Sequence, residues 1–269
     1  MLCAGSTCQA QTQPIRFLLS FDDGPSASTW SNGTEEILTT LTNNAVQKNI
    51  KGLFFVQTRN TNGGGSELGH ALIEREWQEG HLVEFHTSTP NHSNHRFLDD
   101  DQLQLSLEHG VADLSRITGS APKLVRPPFW NYDERTFAAY QKNGMQVLLT
   151  DLSANDGKIW GVNFSLHKHS NMLEQLAQVR EKWRAGNMPV IDGCVPVVVT
   201  FHDINTYTAH HLEEYLHILL QVAAELDMPT SELPFYNQRA ELERAALASA
   251  MHDTSIKPRL PGLWNWLWQ

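Results

Sequence analysis

The sequence predicts an α/β fold on three observations. Short apolar runs alternate with longer amphipathic stretches, the rhythm of an α/β chain. Five of the runs end in residues that titrate or ligate, and in barrels of parallel strands that carboxyl-terminal rim is where a site is built. The 269 residues, 41% of them hydrophobic, supply a core for one large domain or two small ones.

The first strand is expected over 15–21 (IRFLLSF), and Gly33 then precedes a helical pattern over 34–48. A strand at 52–57 (GLFFVQ) leads through the loop Gly63-Gly64-Gly65 to a helix over 67–79 that stops at Gly80. A strand at 82–87 (LVEFHT) is followed by a helix over 99–117, acidic at its start and ending near Gly119. Next come a strand at 123–126, a helix over 133–142 stopped by Gly144, and a strand at 145–151 (MQVLLTD). The segment 157–192 exceeds a plain connection and is expected to hold a helix over 171–183. A strand at 195–202 (VPVVVTFH), a helix over 208–226, a poor strand at 228–233 and a helix over 238–251 complete the order. Trp264, Trp266 and Trp268, at period two near the end, suit docking on the core or a sugar-stacking strip.

Composition excludes several classes of function. No run approaches ~18 consecutive apolar residues, so stable membrane insertion is not expected. With 20 Lys+Arg against 30 Asp+Glu, the net charge of −10 argues against a nucleic-acid partner. Eleven Phe, eight Trp and five Tyr argue for a packed core rather than disorder. Cys3, Cys8 and Cys194 are odd in number and form no CxxC knuckle, which removes structural zinc of that kind. The step Cys8-Gln9-Ala10 resembles the end of a signal peptide without its basic and apolar regions. Residues 1–13 therefore read as the remnant of an export leader or an ordinary terminus.

At the rim, 15–21 runs into Asp22-Asp23-Gly24-Pro25 and 82–85 into His86-Thr87. Strand 123–125 is followed by Arg126-Pro127-Pro128-Phe129, 145–150 by Asp151, and 197–201 by His202-Asp203. Charges beside apolar strands are costly unless paired or bound to metal, so five such endings point to a site. Adjacent Asp22 and Asp23 diverge, leaving one to bind a metal and the other to act on water. His86, His92 and His95 fall within ten residues, and two His with a carboxylate form the donor set of a catalytic Zn²⁺ or similar centre.

With these residues in place, the chain from about 14 to 233 resembles the polysaccharide deacetylases of carbohydrate esterase family 4, the NodB-homology domain. Five segments follow the family's order. Ser20-Phe21-Asp22-Asp23-Gly24-Pro25 is similar to its first motif, TFDDGP, which implies Asp22 as general base and Asp23 as metal ligand. The second motif, H-[ST]-x-x-H, is matched at His86-Thr87 and then departs, since its fifth place is Pro90. Registering from Leu98-Asp99 puts the second His ligand at His92, with His95 in reserve. Arg126-Pro127-Pro128-Phe129 resembles RxPY, implying that Arg126 orients Asp22 and that the Phe129 N–H faces the oxyanion. The stretch from Asp151 to Asp156 resembles the fourth motif, with Asp156 tuning the acid; the family's next Trp is Gly157 here, and Trp160 could take its place. Thr200-Phe201-His202-Asp203 resembles the fifth motif, with His202 as general acid and Thr200 where a Leu walls the acetyl pocket.

The resemblance implies a distorted (β/α)7 barrel, incomplete if 228–233 fails as the seventh strand, with an added C-terminal helix and Trp-rich tail. It divides the chain into a leader (1–13), a catalytic domain (14–237) and a helix with its tail packed on that domain (238–269). It implies a divalent metal, foremost Zn²⁺ with Co²⁺ or Ni²⁺ able to substitute, and an acetylated glycan partner met in the periplasm or outside the cell. N-deacetylation of an amino-sugar polysaccharide is the main expectation. O-acetyl ester cleavage on a xylan-like glycan, hydrolysis of a non-carbohydrate amide, and glycan binding without catalysis are the alternatives. Oligomeric state is not legible.

Overall fold

A computed structural model of the chain describes residues 13–156 and 167–254. The expected leader, Gly157, Trp160 and the tryptophans of the tail lie outside the described residues. The strands are β1 (Ile15–Asp22), β2 (Leu53–Gln57), β3 (Leu82–Thr87), β4 (Leu124–Val125), β5 (Gln146–Val147), β6 (Leu152–Ser153), β7 (Val195–His202) and β8 (Thr230–Phe235). The helices are α1 (Gly33–Thr42), α2 (Glu67–Gln78), α3 (Asp100–Thr118), α4 (Glu134–Lys142), α5 (Lys168–Arg184), α6 (Thr206–Glu225) and α7 (Arg239–Ala248). All strand pairs are parallel and run in the order β5-β4-β3-β2-β1-β7-β6, with β8 on β1. The sheet curls into a half-barrel whose edge strands, β5 and β6, have no pairing to each other among the described residues. This is the incomplete, distorted (β/α) barrel expected of the chain.

β1, β2, β3, β4 and β7 each serve two cores, which is why they carry apolar residues on both faces. Phe17, Leu19 and Phe21 of β1 and Val197, Val199 and Phe201 of β7 pack against the helices. Leu18, Leu53, Leu82, Leu124, Leu148 and Val198 face the concave side, where Leu242, Ala245 and Ala246 of α7 cover them. Two to four residues further along β1, β3, β4 and β7 this inner face turns polar: Ser20 and Asp22, His86, Arg126, and Thr200 and His202.

Local chemistry sets the ends. Asp99 caps α3 by accepting the Gln102 N–H, and the Gln102 side chain accepts the Asp99 N–H in return. Asn32, Ser66, Asp133 and Asn205 cap α1, α2, α4 and α6. The helix expected over 34–48 stops at Thr42, because Asn44 Oδ1 takes the N–H groups of Val46 and Gln47 and closes a turn instead.

Two strands differ from expectation. The run 145–151 keeps strand only at β5, with β6 just beyond it, since the Arg126 guanidinium donates to the carbonyls of Leu148 (2.5 Å) and Leu149 (3.4 Å) where a ladder would otherwise continue. Asp151 rejoins the sheet by exchanging bonds with the Val198 backbone, its carboxylate accepting that N–H at 3.0 Å. The weak seventh segment forms β8, wedged between β1 and the start of β2. It pairs with Ile15 and Phe17, while Gln47 bonds both backbone groups of Phe235.

Candidate active site

Asp22 ends β1 and His202 ends β7, and the two are register partners on neighbouring parallel strands. The sheet thereby brings a carboxylate and an imidazole to one level of the inner face. Asp22 is buried, and its carboxylate accepts from Arg126 Nη1 at 3.0 and 3.1 Å and from Trp130 Nε1 at 3.1 Å. Arg126 is fully buried and fixed on every side. It donates to Thr200 Oγ1 at 2.9 Å and to the two carbonyls above, and its guanidinium lies 4.5 Å over the Phe55 ring. A guanidinium with this many fixed contacts has no freedom to withdraw from Asp22.

Asp23, next in the chain, turns away with φ 71° and meets His86 and His92. The Nε2 atoms of the two histidines stand 3.0 Å apart, and Asp23 Oδ1 lies 3.0 Å from His86 Nε2 and 3.3 Å from His92 Nε2. His86 Nδ1 is 2.7 Å from the Arg126 carbonyl, which can only accept, so in the neutral ring that nitrogen carries the proton and Nε2 is left as the ligating atom. Donors ~2.0–2.2 Å from a common centre at tetrahedral angles stand roughly 3.3–3.6 Å apart, close to the separations here. Two imidazole nitrogens and a carboxylate facing one another fit a divalent cation, and the second contact of His86 orients its ring as metal-bound imidazoles require. Burial pulls His92 down to about 4 against the attraction of Asp23, leaving it neutral and able to ligate.

His95, the reserve ligand, points elsewhere. Its ring is buried against Phe85 and bonded to the Tyr140 hydroxyl (3.0 Å) and Thr87 Oγ1 (2.9 Å). Phe129 stacks on His92 with centroids 4.7 Å apart, in the 3₁₀ turn that follows Arg126-Pro127.

On the other flank, Asp156 is fully buried and accepts from His202 Nδ1 (2.8 Å), the His202 N–H (2.9 Å) and Thr208 Oγ1 (2.6 Å). Burial alone would strip the proton from His202, but the Asp156 charge and hydrogen bond, with Asp23 and Asp22 nearby, push it up to about 10. With Nδ1 committed to Asp156, the second ring nitrogen is the one that can face a substrate.

The backbone is bent hardest here. Among the described residues, five of eight non-glycine positions with positive φ are Asp23, His92, Phe129, Trp130 and Asn155, and the three of the eight that are neither Asp nor Asn all lie at this site. Left-handed His, Phe and Trp cost free energy and persist where surrounding contacts impose them, as at functional sites.

Eight residues singled out in the sequence thus meet at one rim: Asp22, Asp23, His86, His92, Arg126, Phe129, Asp156 and His202. Asp151 does not join them. Four other contributors carry no sequence signal for their contact. Trp130 follows the Arg-Pro-Pro-Phe segment with nothing to mark its bond to Asp22. Thr200 and Ser20 form a hydroxyl pair (3.0 Å) under Arg126, visible only once β1 and β7 are side by side. Asp203 lies buried beneath the Gly24 turn and accepts from Thr34 Oγ1 at 2.8 Å; a Cβ at Gly24 would fall 2.0 Å from its carboxylate, so only glycine fits there.

A family model described as polysaccharide deacetylase matches residues 9–148, about half of the chain. A chitin deacetylase of Pestalotiopsis sp is 28% identical over 153 residues, covering 56% of this chain and 47% of that protein. A peptidoglycan-N-acetylglucosamine deacetylase of Bacillus cereus is 32% identical over 111 residues, covering 41% of this chain and 35% of that one. The chain thus spans less than half the length of these curated relatives. The solved chitin deacetylase of Colletotrichum lindemuthianum superposes with a TM-score of 0.58 at 22% identity, over 82% of this chain and 86% of that one, a likeness of fold.

Proposed function

Because the chain belongs to the polysaccharide deacetylase family, we propose that it is a metal-dependent hydrolase that removes acetyl groups from the N-acetylated amino sugars of a polysaccharide. The observation that carries this is the pairing of Asp22 with His202 across β1 and β7, beside the Asp23, His86 and His92 donors. Chitin and peptidoglycan are the glycans acted on by the named relatives, and both present N-acetylglucosamine. Such substrates lie outside the cytoplasm, which suits a periplasmic or secreted protein, and no helix among the described residues is long and apolar enough to cross a membrane.

Asp23, His86 and His92 would hold the ion, for which we assign zinc, with cobalt(II) or nickel(II) able to replace it. Such an ion supplies Lewis acidity, polarising an acyl oxygen and lowering the pKa of water toward ~7. Asp22, aimed by Arg126 and Trp130, removes a proton from the water that attacks the acetyl carbon. The Phe129 N–H is the oxyanion donor among the chain's own groups. His202, cationic and anchored through Nδ1, delivers a proton to the amine nitrogen as the C–N bond breaks, so that acetate and a free amino sugar leave.

Acetate release from glycol chitin, peptidoglycan and acetylxylan, before and after chelation, tests this reading. Release from the first two, lost with chelator and regained with zinc, is expected; Asp22→Asn should lose at least ~100-fold in kcat while keeping its circular dichroism. Release from acetylxylan alone would replace amide by ester hydrolysis, and chelator-resistant activity would remove the ion from the reaction.

A further inference from the structure

Large apolar side chains left in water divide by chemistry. Among the described residues the exposed aromatics are Trp30 (98%), Phe97 (60%) and Phe129 (55%). All three sit in loops that follow strand ends, after β1, β3 and β4, on the rim that carries the site. The exposed aliphatics Leu105, Val190 and Leu233 lie on α3, before β7 and in β8.

Trp30 is the extreme case, and its loop is braced rather than slack. Asn32 Nδ2 donates to the carbonyls of Ser26 (2.9 Å) and Ser28 (3.1 Å). The Ser26 N–H donates to Thr34 Oγ1 (2.9 Å), which donates in turn to Asp203, the neighbour of His202. A loop tied to the floor of the site thus holds an indole wholly in solvent. The segment 26–32 (SASTWSN) bears no charge and is mostly hydroxyl and amide, unlike a surface for an ionic partner. An uncharged polar rim around one aromatic face matches a pyranose ring, whose C–H face stacks on the indole while its hydroxyls meet polar side chains.

Resting on the deacetylase reading, we infer that Trp30 is a stacking platform for a sugar ring of a long glycan, set apart from the ring that reacts. Trp30 is seven residues beyond Asp23, so at most ~25 Å of extended chain separates the two, a span that a glycan of several units can bridge. Its role is to favour polymer over short oligomer, through binding rather than chemistry.

Steady-state kinetics of the wild type, Trp30→Ala and Trp30→Phe on glycol chitin and on N,N′-diacetylchitobiose test this, with retention in glycol-chitin gels as a direct readout of binding. For Trp30→Ala the ratio of KM for glycol chitin to KM for the disaccharide should rise roughly three- to tenfold. Gel retention should fall in parallel, and Trp30→Phe should recover much of both. An unchanged ratio with unchanged retention overturns the platform. So does a change of oligomeric mass in Trp30→Ala, which would make the indole a contact between copies. Retention that depends on Trp30 without acetate release from either substrate upholds the platform and overturns the activity.

Discussion

His202 shows how a neighbouring carboxylate decides which proton chemistry a residue can perform. A histidine at this depth would be neutral, and a neutral imidazole cannot hand a proton to a departing amine. Asp156 reverses that, and holds the ring by accepting its Nδ1–H and backbone N–H. The sign of the pH effect follows. In the proposed mechanism the donor is His202 in its cationic form, so activity should fall as pH rises through the His202 pKa. Replacing Asp156 by Asn leaves the burial that lowers this pKa and removes the charge that raises it, so the alkaline limb of kcat/KM should move to lower pH, toward or below the ordinary ~6.5. A divalent ion in the trio adds positive charge near the ring, so the direction of the shift is the quantity to measure. A pH–rate profile of Asp156→Asn with an unmoved alkaline limb would remove His202 as the acid. At this scale the sequence was legible wherever a residue's type limits its chemistry: paired Asp, spaced His, Arg before Pro-Pro. It was illegible where a side chain of many uses, such as Trp130 or Thr200, takes its role from what the fold sets beside it.

Elements carry the site through their packing, and α3 against β3 is the informative case. Gly110 lies mid-helix, where glycine costs ~1 kcal/mol relative to alanine. It is there because the helix meets the sheet too closely for a side chain: a Cβ at Gly110 would lie 2.0 Å from the Phe85 ring. Phe85 precedes His86, so whatever displaces the ring displaces a proposed metal ligand. Gly110→Ala gains helix propensity and loses fit. Overpacking of this kind costs ~1–3 kcal/mol, which outweighs the gain. Thermal unfolding should show Tm lowered by roughly 2–8 °C, and zinc titration a weakened affinity. A raised Tm would mean that α3 can slide without cost. Legibility at this scale follows burial. β1, β2, β3 and β7 are enclosed on both faces and appear as mainly apolar runs. β8 carries exposed Glu232 and Leu233 with Pro234 and pairs only along the lower part of β1, so its composition resembles a loop. The break between β5 and β6 is made by the side chain of Arg126, which follows β4 and stands 22 residues before the carbonyl it reaches.

For the whole molecule the question is what closes a half-barrel whose edge strands do not meet. The concave face is apolar at its base, and α7 covers that base with Leu242, Ala245 and Ala246, all buried. The helix is also ringed by ion pairs: Arg16 with Glu241 (2.8 Å), Lys123 with Glu243 (2.5 Å) and Arg244 with Asp192 (2.7 Å). Partly exposed pairs contribute ~0–1 kcal/mol each, whereas removing a buried leucine costs ~2–5 kcal/mol. The apolar contact is therefore the one that decides whether α7 folds with the sheet. Just beyond α7, Met251 donates its N–H to the Val147 carbonyl at 2.8 Å, fastening the helix to the open edge at β5. If α7 is the floor of the barrel, Leu242→Ala should lower a single unfolding transition by roughly 4–20 °C, with far-UV circular dichroism and acetate release lost together, while Glu241→Ala should shift it by only a few degrees. If α7 is an appendage, the same substitution should melt one helix early and leave the main transition in place. The first outcome is expected, because the leucines α7 covers stand on the same faces of β1, β3 and β4 that carry Asp22, His86 and Arg126. Water admitted at the base would reach the underside of the Arg126–Asp22 pair, and the site would loosen with its floor.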